Sequence, residues 1–361
     1  MQKLTLTLKD GTQITGDAFG AFKESEGEVV FTTGMVGYPE SLSDPSFKDQ
    51  LLVLTFPLVG NYGVPNEALD EHKLSRFFES SKIHLKGLIV SDYSENYFHW
   101  NAEKSLSDWM KEYDVPGITG VDTRALTQLL RDKGSQLGQI HPADQEPHEE
   151  FYDPNASNLV AKVSTPEIQE YGDGKKHIAL IDCGVKINTL RNFLKRGVKI
   201  TRFPWNGDPF AYEEKHGIHF DGVFFSNGPG DPSQLPEPVA IMKHCFERKR
   251  PTFGICLGSQ IMGIAAGAKT YKLKFGHRSQ NQPCIETKTG RCYITSQNHG
   301  FAVDEKTIPS DWEANFLNAN DQTVEGVRHK KLPFFSVQFH PESSPGPTDT
   351  EFLFDEFVAM L

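Results

Sequence analysis

The sequence predicts an α/β protein: a doubly wound, mostly parallel sheet in its C-terminal part, with a separate mixed α/β domain ahead of it. From residue 177 onward apolar, strand-like runs alternate with helical stretches, as parallel βαβ units require. Before residue 140 short apolar stretches are separated by Gly, Pro and Asp instead. A length of 361 residues accommodates two domains with a core each. The expected division is 1–140, an acidic, Pro-containing, weakly patterned connection over 141–176, and 177–361.

The first half opens on an alternating segment, Met1 to Leu8, then a turn at Asp10-Gly11 and a second segment through Gln13–Gly16, which reads as a hairpin. Strand-like runs follow at Glu28–Phe31, Leu51–Leu54 and Gly87–Val90. A helix is expected from Thr123 to Arg131, capped by Asp122 and closed by Gly134. In the second half the expected order is a strand at His177–Ile181, a helix at Ile187–Arg196 and a strand at Lys199–Phe203. A strand at Gly222–Phe225, a helix at Pro236–Arg250 and a strand at Thr252–Ile255 come next. Functional residues of such sheets gather beyond the carboxyl ends of the strands.

Composition narrows the function. The formal charge of −11 opposes phosphate backbones, so nucleic acid is not an expected partner. No apolar run is long enough to span a membrane, and the N-terminus lacks a signal-peptide stretch, so a cytoplasmic protein is expected. The five cysteines are odd in number and contain no CxxC pair, which argues against a disulfide framework and a zinc site.

Three strand ends carry chemistry. Gly254-Ile255-Cys256-Leu257-Gly258 lies between an apolar strand and a helix expected at Gln260–Ala266, the pattern of a nucleophile elbow with Cys in place of Ser. A thiol at a helix N-terminus meets free N–H groups and the favourable end of the dipole. Phe334–Phe339 reads as a strand that runs into His340-Pro341-Glu342. In extended chain the residues i and i+2 project to one side, so Glu342 reaches the His340 ring. A base with an orienting carboxylate is what a thiol nucleophile needs. Ser226-Asn227-Gly228-Pro229-Gly230-Asp231-Pro232 reads either as a plain turn or as a rigid loop whose N–H groups face a developing oxyanion.

Together these segments resemble the class I glutamine amidotransferases, whose flavodoxin-like fold and triad they imply, with Cys256, His340 and Glu342 as catalytic residues. The first half sharpens the resemblance. Gly27 to Glu40, Asp44-Pro45-Ser46-Phe47, Gly60-Asn61-Tyr62-Gly63, Gly120 to Thr127, Asp182 to Lys186 and Gln297 to Val303 are similar to the small-subunit family of carbamoyl-phosphate synthetases. That resemblance implies a glutamine pocket made of Ser46, Gly228, Gly230, Leu257, Gln260, Asn298, Gly300 and Phe301. It also implies a large synthetase subunit as partner, serving arginine and pyrimidine synthesis, with ATP and Mg on that subunit and no cofactor or metal in this chain. Consistent with that, no P-loop occurs, and the 19 residues after Glu342 leave no room for an ATP-using domain. Two departures stand out: Phe275 to Pro283 differs from the common His-His-Gly-Gly-Asn-His-Pro version, and Cys183 stands where Tyr or Phe is frequent. A free-standing amidase leaves residues 1–140 without a task, and a silent scaffold does not need an intact Cys, His and Glu.

Overall fold

The computed structural model describes residues 2–361, which divide after Ser157 into two compact units. In the first, strands β1 (Lys3–Leu8), β2 (Gln13–Gly20), β3 (Ser25–Thr32), β4 (Gln50–Leu54), β5 (Gly87–Ile89), β6 (Pro116–Thr119) and β7 (Gln136–Pro142) close into a barrel. Their order around it is β1-β7-β3-β4-β5-β6-β2. The predicted hairpin is β1–β2, paired antiparallel with Leu6 opposite Ile14, and Gly11 supplies the positive φ of its turn. Both faces of β1 are buried, so its polar residues need partners. Thr5 pairs with the Thr15 hydroxyl at 2.8 Å and Thr7 with His141 Nε2 at 2.9 Å. The expected helix is present as α1 (Thr123–Lys133): Asp122 accepts from the Ala125 N–H at 2.9 Å, and Gly134 closes it.

The second unit is built on one ten-stranded sheet. Its strands are β8 (Gln169–Tyr171), β9 (Lys176–Asp182), β10 (Val198–Pro204), β11 (Gly222–Phe225), β12 (Thr252–Ile255), β13 (Thr270–Glu286), β14 (Cys292–Val303), β15 (Trp312–Asn318), β16 (Val324–His329) and β17 (Phe334–Val337). The spatial order is β8-β10-β9-β11-β12-β17-β16-β15-β13-β14. From β10 to β17 neighbours are parallel, in the flavodoxin-like order 2-1-3-4-5. Of these strands β11, β12 and β17 are buried along their whole length, which is why their sequences are short, mostly apolar runs. The crossovers are α2 (Ile187–Leu194), α3 (Pro209–His216), α4 (Pro236–Glu247) and α5 (Leu257–Ala266), and α6 (Phe352–Met360) ends the chain. Phe193 of α2 and Phe354 and Phe357 of α6 meet edge to face, and Phe253 of β12 joins them.

Beyond β17 the sheet continues antiparallel through β16, β15, β13 and β14. The βαβ alternation does not foretell this half. Its two long strands carry Lys, Gln, Asn, Ser and His among their apolar residues, a pattern that reads as loop.

Candidate active site

The strand order reverses between β9 and β11, and the three motif loops follow β11, β12 and β17 at their carboxyl ends. Cys256 sits between β12 and α5 with φ 54° and ψ −104°, a conformation that non-glycine residues rarely adopt. Its neighbours hold it there. A Cβ on Gly258 would stand 2.3 Å from Phe225 O, and one on Gly254 would stand 2.6 Å from Gly258 O. Both positions therefore require glycine. The Cys256 N–H donates to Val337 O at 2.8 Å, tying the elbow to β17.

His340 Nδ1 lies 2.6 Å from Glu342 Oε1. The other ring nitrogen, Nε2, is buried and faces the Cys256 side chain. The thiol instead points to Asn298 O at 3.7 Å. Burial alone would lower the imidazole pKa, but Glu342 and then Cys256 outweigh it and raise the ring to about 10. Burial likewise opposes the Glu342 charge, yet Lys186 first and His340 second lower its pKa to about 2. Lys186, Glu342, His340 and Cys256 thus form one buried row, with the Glu342 carboxylate between Lys186 and the His340 ring. Three of the other thiols, Cys183, Cys245 and Cys284, are pushed up by burial and stay protonated.

Lys186 carries no role in the sequence reading, which quotes it only within a family stretch. It is 3% exposed, and its Nζ lies 3.3 Å from Glu342 Oε1 and donates to Ser343 O. It stands in the loop between β9 and α2, just before the first residue of that helix. Asn188, next on α2, donates to Glu342 O and holds the loop from the other side.

The remaining expected residues of the second unit gather around the elbow. A Cβ on Gly228 would collide with Cys183 O and Leu257 Cδ2, so this loop packs directly on the residue after the nucleophile. The N–H groups of Gly228 and Leu257 donate to no acceptor among the described residues. Gly230 has a positive φ of 88° and faces Leu159. Gln260 donates from Nε2 to Phe301 O at 3.0 Å and to Gln338 Oε1 at 3.2 Å, which joins α5 to β14. Asn298, Gly300 and Phe301 share β14, with the departing residue Arg278 opposite Asn298 and against Gly300. Ser46 belongs to the first unit, in the turn Pro45–Phe47, where its N–H donates to Asp44 Oδ1 at 2.9 Å.

Comparison with known proteins places this architecture. Residues 179–360 match the profile of the class-I glutamine amidotransferases, and residues 6–140 match that of the carbamoyl-phosphate synthase small chain, CPSase domain. The arginine-specific small chain of carbamoyl phosphate synthase from Aspergillus fumigatus is 49% identical over 99% of this chain and 79% of its own length. The chain belongs to the carbamoyl-phosphate synthase small-chain family. The multifunctional protein URA2 of Saccharomyces cerevisiae is 50% identical over 98% of this chain, and pyr1-3 of Dictyostelium discoideum 48% over 99%. The chain spans only 17% of the length of each of these two relatives. Among small-chain features, the amidotransferase half thus coincides with the ten-stranded sheet and the small-chain half with the barrel. No helix among the described residues is long and apolar enough to cross a membrane.

Proposed function

We propose that this small chain hydrolyses L-glutamine in the cytoplasm and delivers the ammonia to a carbamoyl-phosphate synthetase partner, which uses bicarbonate and ATP with Mg. The partner is a large subunit or, as in the multifunctional relatives, a further part of one polypeptide. Its product supplies arginine or pyrimidine synthesis. The observation that carries the reading is the buried row of Lys186, Glu342, His340 and Cys256 at the strand ends.

Cys256 attacks the side-chain carboxamide carbon of glutamine, and the tetrahedral oxyanion is received by the Gly228 and Leu257 N–H groups. His340 gives its proton to the departing nitrogen, leaving a γ-glutamyl thioester. The neutral ring then takes a proton from water, which attacks the thioester and releases glutamate. Glu342 orients the ring and stabilises its charged form, and Lys186 keeps Glu342 ionised. Gly230, Gln260, Asn298, Gly300 and Phe301 bind the glutamine around this point. The inclusion of Ser46 rests on the family resemblance.

The groups that must act together follow three separate strand ends, Gly228 after β11, Cys256 after β12 and His340 after β17. Displacements near 1 Å between reacting groups cost about a hundredfold. The purified chain alone should therefore release glutamate slowly, and titration with the synthetase partner should raise the rate at least about tenfold. A rate already high and flat through the titration supports a free-standing amidase instead.

A further inference from the structure

Behind the strand that carries Asn298 lies a buried cluster that glutamine hydrolysis does not use. His277 of β13, His299 of β14 and Glu325 of β16 each turn one ligand-type atom toward a common point, and these atoms lie within 4.8 Å of one another. His277 Nε2 meets Asp321 Oδ2 at 2.8 Å, and its Nδ1 faces Glu325 Oε1 at 3.3 Å. His299 Nδ1 donates to Phe301 O at 2.8 Å, so its Nε2 lone pair faces Gln297 Oε1 at 3.1 Å and Glu325 Oε1 at 3.9 Å. Glu325 is wholly buried, and its Oε2 has no donor among the described residues. A divalent cation at the common point would meet a nitrogen of each ring and the buried carboxylate at once.

We propose that His277, His299 and Glu325 bind a divalent transition-metal ion of the Zn²⁺ class. Two imidazoles and a carboxylate are a donor set that suits such an ion. Tetrahedral bonds of ~2.1 Å place ligand atoms ~3.4 Å apart; the two edges to Glu325 Oε1, 3.3 and 3.9 Å, bracket that spacing, and the edge between the rings is within 4.8 Å. The outer hydrogen bonds have the form found around metal-bound imidazoles: a carboxylate on one ring and a backbone carbonyl on the other. Asp321 is half exposed and gives the ion a way in. Once bound, the ion ties β13, β14 and β16 together beside the nucleophile. The sequence offers no ligand spacing from which to expect this site, because its residues come from three strands that pairing alone brings together.

The test uses the full chain carrying Cys256→Ser, which removes the only thiol of the triad as a competing ligand. After chelator treatment it is titrated with Zn²⁺ against a chromophoric chelator, and with Co²⁺ by visible absorption. Uptake of about one equivalent at about micromolar affinity or tighter, with ligand-field bands for Co²⁺ and a raised Tm, is expected. His277→Asn should abolish it while circular dichroism stays unchanged. Should that variant fail to fold, Asp321→Asn, at the half-exposed outer position, should weaken uptake about tenfold. No uptake by the parent chain overturns the proposal and leaves His277 as a proton bridge between Asp321 and Glu325. So does uptake that survives His277→Asn, or an affinity that Asp321→Asn leaves unchanged.

Discussion

Two buried histidines, one in each unit, are driven in opposite directions. His84 of the barrel unit pairs through Nε2 with the Ser80 hydroxyl at 3.0 Å, and burial, reinforced by Lys82 and Lys48, lowers its pKa to about 3. His340 is as deeply buried, yet Glu342 and Cys256 raise it to about 10. Burial silences a histidine by disfavouring its charge, and only a paired anion reverses that. The His340 ring is distinguished by what faces it, and depth contributes nothing to the distinction.

The largest effect should come from removing the thiol on the far side of the His340 ring. Cys256→Ser should lower glutamine hydrolysis by roughly a thousandfold or more, while synthesis driven by added ammonia in the reconstituted complex is spared. Loss of both together would make Cys256 a structural residue. Next, His340→Asn should cost more than Glu342→Gln by about one to two orders of magnitude in kcat, because the ring carries the protons and the carboxylate only orients it. Equal losses with folding intact would give Glu342 a direct chemical part.

Lys186→Met probes the far end of the row. Without the lysine, the Glu342 carboxylate is left buried with one partner, and urea melts of the variant should show a loss of about 3–5 kcal/mol. The acid limb of its pH–rate profile should move to higher pH, and Lys186→Arg should restore part of both. An unshifted profile would leave Lys186 with a packing role alone.

Much of this site was legible in the sequence because the parallel half of the sheet writes its chemistry at strand ends. Apolar runs such as Gly222–Phe225 and Thr252–Ile255 have the predicted bounds, and the unusual residues follow directly after them. Helix α3 was not foreseen, since Pro209–His216 buries little beyond Pro209 and Phe210 and so lacks a clear apolar stripe. The antiparallel half was illegible for a different reason. Its buried polar residues, among them Gln297, His299 and Glu325, satisfy one another across strands, and that pairing has no local signature. Lys186 was hidden likewise: its partner Glu342 is remote in sequence and near only in the fold.

The smallest effect concerns pH and stability. His84 is neutral in the folded barrel, and its folded pKa near 3 lies below the ordinary 6.5. The stability it contributes is therefore present above pH 6.5 and is lost as pH falls toward 3. Glu342, at about 2 against an ordinary 4.5, loses its contribution only below pH 4.5, and His340 keeps its own until pH rises from 6.5 through about 10. Between pH 6.5 and 4.5 acid should weaken the barrel through His84 by about 2–3 kcal/mol while the triad pair is indifferent. Hydrogen exchange of barrel amides across that window should show the slope, and His84→Gln should flatten it. An equal slope in the variant would mean that His84 does not set it.

The central claim is that Cys256 forms a covalent bond to the glutamyl group. It is tested most directly by mixing the chain and its synthetase partner with isotopically labelled glutamine, quenching in acid within a turnover, and locating the label by peptide mass spectrometry. The account predicts a γ-glutamyl thioester on the peptide containing Cys256 and none in Cys256→Ser. Glutamate released at an undiminished rate with no label on Cys256, or label on another residue, would contradict it.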